Sequence, residues 1–201
     1  MHRKPFLIAV AYFFVVIVIA HFFAQANYTW TSNTISDLAA QGHTHKWIMQ
    51  MGFIGFGLLL TWGGAFHFNK NRRAFFLFLV AIYGLSILMS GIFCTAPIDP
   101  SIPYSASASD LHSMFATIAG ICLSLAIFWQ IIAAPGKPEK RIHFIFFVLV
   151  MGLSGVFGLA ENGIVALDKG VIQRLLYLSG LAWLVYQELV FANKGLGRVK
   201  A

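Results

Sequence analysis

The sequence predicts an all-α fold, a polytopic bundle of six transmembrane helices with both termini cytoplasmic. Three observations carry this expectation. Hydrophobic side chains make up 59% of the 201 residues and charged ones 10%, against roughly half and a quarter in an ordinary soluble domain. Six apolar runs follow one another, each near the ~20 residues that cross a bilayer. Eleven of the fourteen Lys and Arg residues fall on alternate links and the two ends, as in cytoplasmic loops. Six spans leave no room for a soluble domain, so residues 1–201 read as a single integral membrane domain. The net charge of +7 then belongs to loops at the membrane, and no nucleic-acid partner is expected.

The first span, about residues 6–24, follows His2-Arg3-Lys4 and runs into Ala24-Gln25-Ala26, features that a secretory signal shares. Its length of about 18 residues exceeds the 7 to 15 of a signal core, which favours a retained anchor. The others are expected at about 47–68, 74–95, 111–134, 142–160 and 171–192. Positive charge gathers at Arg3 and Lys4, at Lys70, Arg72 and Arg73, at Lys137, Lys140 and Arg141, and at Lys194, Arg198 and Lys200. The opposite side holds Lys46, Lys169 and Arg174 together with Asp37, Asp99, Asp110, Glu161 and Asp168, leaving Glu139 and Glu188 toward the cytoplasm. An even number of spans independently puts both termini on one side.

The outer links carry the irregular chemistry. In the first, Thr34 and Asp37 have capping-box spacing and open a short amphipathic helix expected on the membrane surface. In the second, Pro97, Pro100 and Pro103 precede Ser105, Ser107 and Ser109, so regular structure is expected only once Ser109 or Asp110 caps the fourth span. Within the spans, Gly52, Gly55 and Gly57, and again Gly152, Gly155 and Gly158, mark faces for close helix contact. Ser86, Ser90, Ser124, Ser154 and Ser179 are candidates for joining helices by hydrogen bonds. Trp30, Trp47, Trp62 and Trp129 read as interfacial anchors. Cys94 and Cys122 have neither disulfide nor zinc spacing, and Cys122 reads as packing.

Ionisable groups form an outer ring: His21, Asp37, His43, His45, Asp99, Asp110, His112, Glu161 and Arg174. Such groups inside a bundle must pair or line a polar cavity. Asp110 reads as a first-turn carboxylate favoured by the helix dipole. His112, one turn into an apolar span, suits an acid-base group, a metal ligand or a hydrogen-bonded structural histidine. Arg174 stays charged, so it either clamps an anionic headgroup or pairs with Asp37 or Glu161. His43 and His45 make a poor metal pair by themselves and read as solvated.

Trp30-Thr31-Ser32-Asn33-Thr34-Ile35-Ser36-Asp37-Leu38, Gly91-Ile92-Phe93 leading to Asp99, Asp110-Leu111-His112-Ser113, and Gly170-Val171-Ile172-Gln173-Arg174 resemble the domain of unknown function 998 (DUF998) family of prokaryotic six-helix membrane proteins. The likeness covers nearly the whole chain. It implies this fold and a multi-pass location in the prokaryotic plasma (inner) membrane, brings no activity with it, and singles out Asp37, Asp99, His112 and Arg174.

Three function classes stay open. In the first, an outward-facing polar pocket binds or hydrolyses a lipid-like molecule. Asp37, Asp99 and His112 would be its catalytic groups, as ligands of a divalent metal or as base and orienting acid, with Arg174, Asp110 and Glu161 at the substrate. No nucleophile elbow, HExxH or phosphate loop accompanies them, and whether a metal or other cofactor takes part is open. In the second, His21 and His112 at one level and His67 and His143 at another hold two b-type haems. In the third, the protein is a non-enzymatic scaffold or accessory subunit among membrane lipids, its oligomeric state open. Transport is disfavoured because no span is broken by proline and the charges sit at the ends.

Overall fold

The computed structural model of the chain describes the backbone of residues 4–71 and 74–197 and the side chains of residues 4–68 and 75–192. Arg3, Arg72, Arg73, Arg198 and Lys200, and the side chains of Lys70 and Lys194, lie outside the described residues. Six α-helices make up the described chain: α1 Pro5–Phe22, α2 Lys46–Asn71, α3 Ala74–Ile92, α4 Ala106–Ala133, α5 Lys137–Glu161 and α6 Lys169–Gly197. Each is long and apolar enough to cross a bilayer, so the protein is a multi-pass membrane protein. Each helix packs on its neighbours in sequence, and α6 returns to α1 to close the ring. One end of the bundle carries the start of α1, the end of α6 and the short α2–α3 and α4–α5 links. It is called the terminal end. The other, the loop end, carries the three longer links.

Local chemistry sets the helix boundaries. Pro5 opens α1, where a missing N–H costs nothing, and Lys4 provides no side-chain cap. The buried Phe6 N–H is met instead from α6, by Glu188 Oε2 at 2.8 Å. Gly163, with φ of 68°, takes the left-handed position that ends α5 just past Asn162. α4 begins at Ala106, five residues before the expected start, because Ser105 Oγ already accepts the Ala108 N–H at 3.3 Å. Ser109 does not cap the helix, and its hydroxyl accepts the Ala96 N–H at 3.1 Å. Asp110 therefore sits in the second turn of α4, exposed, rather than in the first.

Between membrane-embedded helices, van der Waals packing replaces the hydrophobic effect as the main glue. The second-span glycines supply it as expected. A Cβ at Gly52 would meet Val16, one at Gly55 the Tyr12 ring, and one at Gly57 the Gly84 carbonyl, so α2 seats side chains of α1 against its glycines and approaches α3 backbone to backbone. Phe13 fills the space left, stacking on Phe56 at 4.4 Å. Gly152, Gly155 and Gly158 behave differently: nothing lies within 4 Å of a Cβ at any of them. The reason is that α5 is peripheral, with 11% of its apolar stretch buried against 56% for α3. The serines also depart from expectation. Ser90, Ser124 and Ser179 donate to carbonyls four residues back in their own helices, which satisfies the hydroxyl locally. Only Ser90 reaches across as well, to His112 O at 3.5 Å. Trp30, Trp47, Trp62 and Trp129 are exposed near span ends.

Candidate functional site

At the loop end, the segment after α1 plugs the mouth of the bundle. The Thr34 N–H donates to Asp37 Oδ2 at 2.7 Å and the Asp37 N–H to Thr34 Oγ1 at 3.1 Å, the reciprocal box that the spacing predicts. The helix it opens is a single 3-10 turn, Ser36–Ala39. It does not lie on the surface, because Ile35, Leu38 and Ala39 are buried in the core and carry the turn inward.

The first turn of α6 receives this plug. Gln173 Oε1 accepts the Ile35 N–H at 2.7 Å, and Thr31 O accepts the Val171 N–H at 3.0 Å. Gly170 lies against the carbonyls of Trp30, Thr31 and Asn33, which a Cβ would strike. Only a residue without a side chain permits that approach.

Arg174 ties the same parts together. Nη1 donates to Asn33 O at 2.9 Å and Gly170 O at 2.8 Å, and Nη2 to the Tyr28 hydroxyl at 2.5 Å and His21 Nε2 at 3.1 Å. A guanidinium only donates, so His21 Nε2 is the acceptor. Its Nδ1–H goes to Ile17 O at 2.7 Å, which fixes the neutral tautomer. The Trp30 ring centre lies 5.7 Å from the guanidinium carbon, within cation-π range. The ion pair expected between Arg174 and Asp37 or Glu161 does not form. Asp37 serves the capping box, and Glu161 meets Lys169 at 3.2 Å on the exposed rim. Burial raises the Tyr28 phenol above its ordinary 10.0, the Arg174 charge and hydrogen bond pull it back, and Asp37 pushes it up again. It remains a neutral phenol, donating to Thr34 O at 3.0 Å.

The other sequence-predicted residues sit apart. Asp99 Oδ1 accepts the Ser101 N–H at 2.9 Å and the Ser101 hydroxyl at 2.7 Å. These bonds hold the Asp99 carboxyl below its usual 3.8. The His112 Nδ1–H donates to Ser90 O at 2.8 Å and Phe93 O at 2.9 Å, and the ring is buried against Phe53. His112 thus supplies one shared donor to two open carbonyls at the end of α3. Asp110 and Glu161 are exposed. His43 is buried, not solvated, while His45 is exposed. Burial first, and the His45 charge second, lower the His43 imidazole from 6.5. The structure therefore links Asp37 and Arg174 through Tyr28 and Thr34, and leaves Asp99, Asp110 and His112 on the α3–α4 side. Among the described residues no group of three or more His, Cys, Asp or Glu side chains is arranged to hold a metal ion.

Several organising residues escaped the sequence reading. Gln41 spans the two outer links: its Nε2 donates to Cys94 O at 3.1 Å and Ser105 O at 3.0 Å, and its Oε1 accepts the Ser105 N–H at 2.8 Å. Its only signal is its place before Gly42, which has φ of 79°. Tyr28 gave none. At the terminal end, Glu188 and His67 face one another at 3.2 Å, both buried. An acid inside an apolar span is the signal that could have found them.

No curated protein and no solved structure matches this chain. The family model described as a protein of unknown function, DUF998, matches residues 7–187. That stretch takes in the plug and the head of α6 and reaches into all six spans, and the chain belongs to the DUF998 family.

Proposed function

We propose that this protein binds the anionic headgroup of a lipid or lipid-like molecule at its loop end, with Arg174 as the charged contact. One observation carries the reading. The Arg174 guanidinium is held by four hydrogen bonds to neutral acceptors and, among the described residues, has no carboxylate within 4 Å. A guanidinium keeps its charge, and a charge at the membrane boundary is stabilised by headgroups. The four acceptors fix its orientation in advance, which lowers the entropic cost of capture. Exposed Trp30 beside it is an interfacial residue. The exposed Lys137, Lys140 and Arg141 at the opposite end support a cytoplasmic terminal end and an outward loop end, by the positive-inside bias. The plasma membrane of a prokaryote is the location that fits this reading.

Hydrolysis draws less from the geometry. Asp37 and Asp99 spend their carboxylates on Thr34 and Ser101, and His112 directs its Nδ1–H to α3. An anionic ligand would engage Arg174 and not the carboxylates of Asp110 and Glu161. Haem ligation draws less still, since His21 and His67 turn Nε2 onto Arg174 and Glu188. The accessory-subunit reading rests on a separate observation, the sparsely buried α5 with its open glycines.

The test is thermal stability and native mass spectrometry in nanodiscs of phosphatidylcholine, with and without phosphatidylglycerol. Anionic lipid is expected to raise the melting temperature and to remain bound in the spectrometer. Arg174→Gln should lose both effects and Arg174→Lys keep part of each. Equal retention of phosphatidylglycerol by Arg174→Gln would overturn the reading.

A further inference from the structure

The terminal end holds a second polar group, on which the loop-end reading does not depend. Glu188, 3% exposed, accepts the Phe6 N–H through Oε2 at 2.8 Å, and His67 Nε2 lies 3.2 Å from Oε1 and 3.4 Å from Oε2. Two lone pairs do not face each other at such a distance, so a hydrogen lies between ring nitrogen and carboxylate, whichever of them owns it. The Phe191 ring stacks on His67 at 4.3 Å and the Phe6 ring lies 5.0 Å away, which shields the pair from lipid and solvent. Among the described residues, each neighbouring element contributes little other charge at the pair. α1 offers the Phe6 N–H and, one residue before its start, exposed Lys4. α2 offers His67, and α3 the apolar Phe76.

Capping alone does not account for this arrangement. A glutamine at 188 would accept the Phe6 N–H equally well, and a buried ion pair is a poor way to gain stability. Acid–imidazole pairs within membrane spans are rare and mark proton pathways.

A neighbouring side chain points the same way. Gln187 is wholly buried, and among the described residues neither its Oε1 nor its Nε2 has a partner. Phe191, four residues on, and Trp183, four residues back, share its helix face. The first stacks on His67 and the second donates its Nε1–H to His143 Nδ1 at 3.3 Å. The two residues that share a helix face with Gln187 thus each touch a buried histidine, one on α2 and one on α5. A buried amide with no partner is an uncommon state that calls for a small polar ligand.

We propose that the terminal half of the bundle contains a proton-binding site, in which the Glu188–His67 pair exchanges a proton with water held at Gln187. Uptake takes the pair from a neutral imidazole on a carboxylate, net charge −1, to net charge 0. The incoming proton comes from protonated water at Gln187: its O–H bond breaks as the bond to the imidazole or the carboxylate forms, and a neutral water molecule is left. Release returns it to water by the same route.

The whole protein in nanodiscs provides the test, by infrared difference spectra between about pH 4 and pH 9 and by NMR of protein labelled with nitrogen-15 histidine. A pH-dependent carboxyl band that moves in heavy water is expected, together with a matching change in one histidine. Glu188→Gln keeps the Phe6 acceptor and should abolish the band. His67→Gln should move its midpoint by more than one pH unit. Gln187→Leu leaves both members of the pair in place and should slow their hydrogen–deuterium exchange at least tenfold. Wild-type protein that shows no such band and no such histidine change overturns the proposal, as does exchange unaltered by Gln187→Leu. The wild-type spectra alone decide the matter if Glu188→Gln or His67→Gln fails to fold.

Discussion

His112 donates its Nδ1–H to the carbonyl oxygen of Ser90 at 2.8 Å, so a side chain of α4 closes the last turn of α3. A helix leaves its final carbonyls unmet, and those of α3 end close to the buried face of α4. Replacing His112 by Ala removes the donor for both Ser90 and Phe93. The expected loss is about 1–3 kcal/mol for each oxygen left buried, read as a lower melting temperature in detergent. An unchanged melting temperature would mean that α3 ends without help from α4.

Arg174 joins α1, the plug and α6 through four hydrogen bonds. Arg174→Ala strands the acceptors on His21, Tyr28 and Asn33. A hydrogen bond to a charged group contributes about 1.5–3 kcal/mol, so the variant should lose at least that much. Arg174→Lys keeps the charge without the planar fork and should fall between. Chemical denaturation of the three proteins checks the order.

Gly170 and Gly155 form a matched pair of opposite sign. A Cβ at Gly170 strikes three carbonyls of the plug, whereas at Gly155 it meets nothing within 4 Å. Gly170→Ala should cost about 1–3 kcal/mol through overpacking and increase proteolysis of residues 28–41. Gly155→Ala should be neutral or gain up to about 1 kcal/mol from helix propensity.

Acid should weaken the loop end through His43. Burial and His45 lower its folded-state pKa below the ordinary 6.5, so the unfolded chain takes up a proton before the folded one does. Stability is then full above about pH 6.5 and declines as pH falls toward the depressed folded value. His43→Asn should flatten melting temperature against pH between about 7.5 and 5.5. The Asp99 carboxyl is also depressed, and its contribution is lost only in stronger acid, below about pH 3.8.

The spans were legible because an apolar run of sufficient length has few other uses, and the Thr34–Asp37 box was legible because its spacing is local. What the plug does was not. Ile35, Leu38 and Ala39 beside polar neighbours suit a helix on a membrane surface as well as one turned into a bundle, and the choice depends on Gly170 and Gln173 more than a hundred residues away. The early start of α4 was hidden because prolines and serines together suggest irregular chain, while one well-placed hydroxyl, on Ser105, suffices to begin a helix. Glu188 and His67 stood in plain view as single residues, but 121 positions separate them. Only the closure of α6 on α1 brings them together.

That closure bears on how the protein is made. The Phe6 N–H and its acceptor on Glu188 are separated by 182 positions, so α1 keeps its amino end unmet until α6 has been delivered. Translation that stops short of α6 leaves an insertion intermediate in which the Phe6 N–H still lacks its acceptor and α1 its contact with α6.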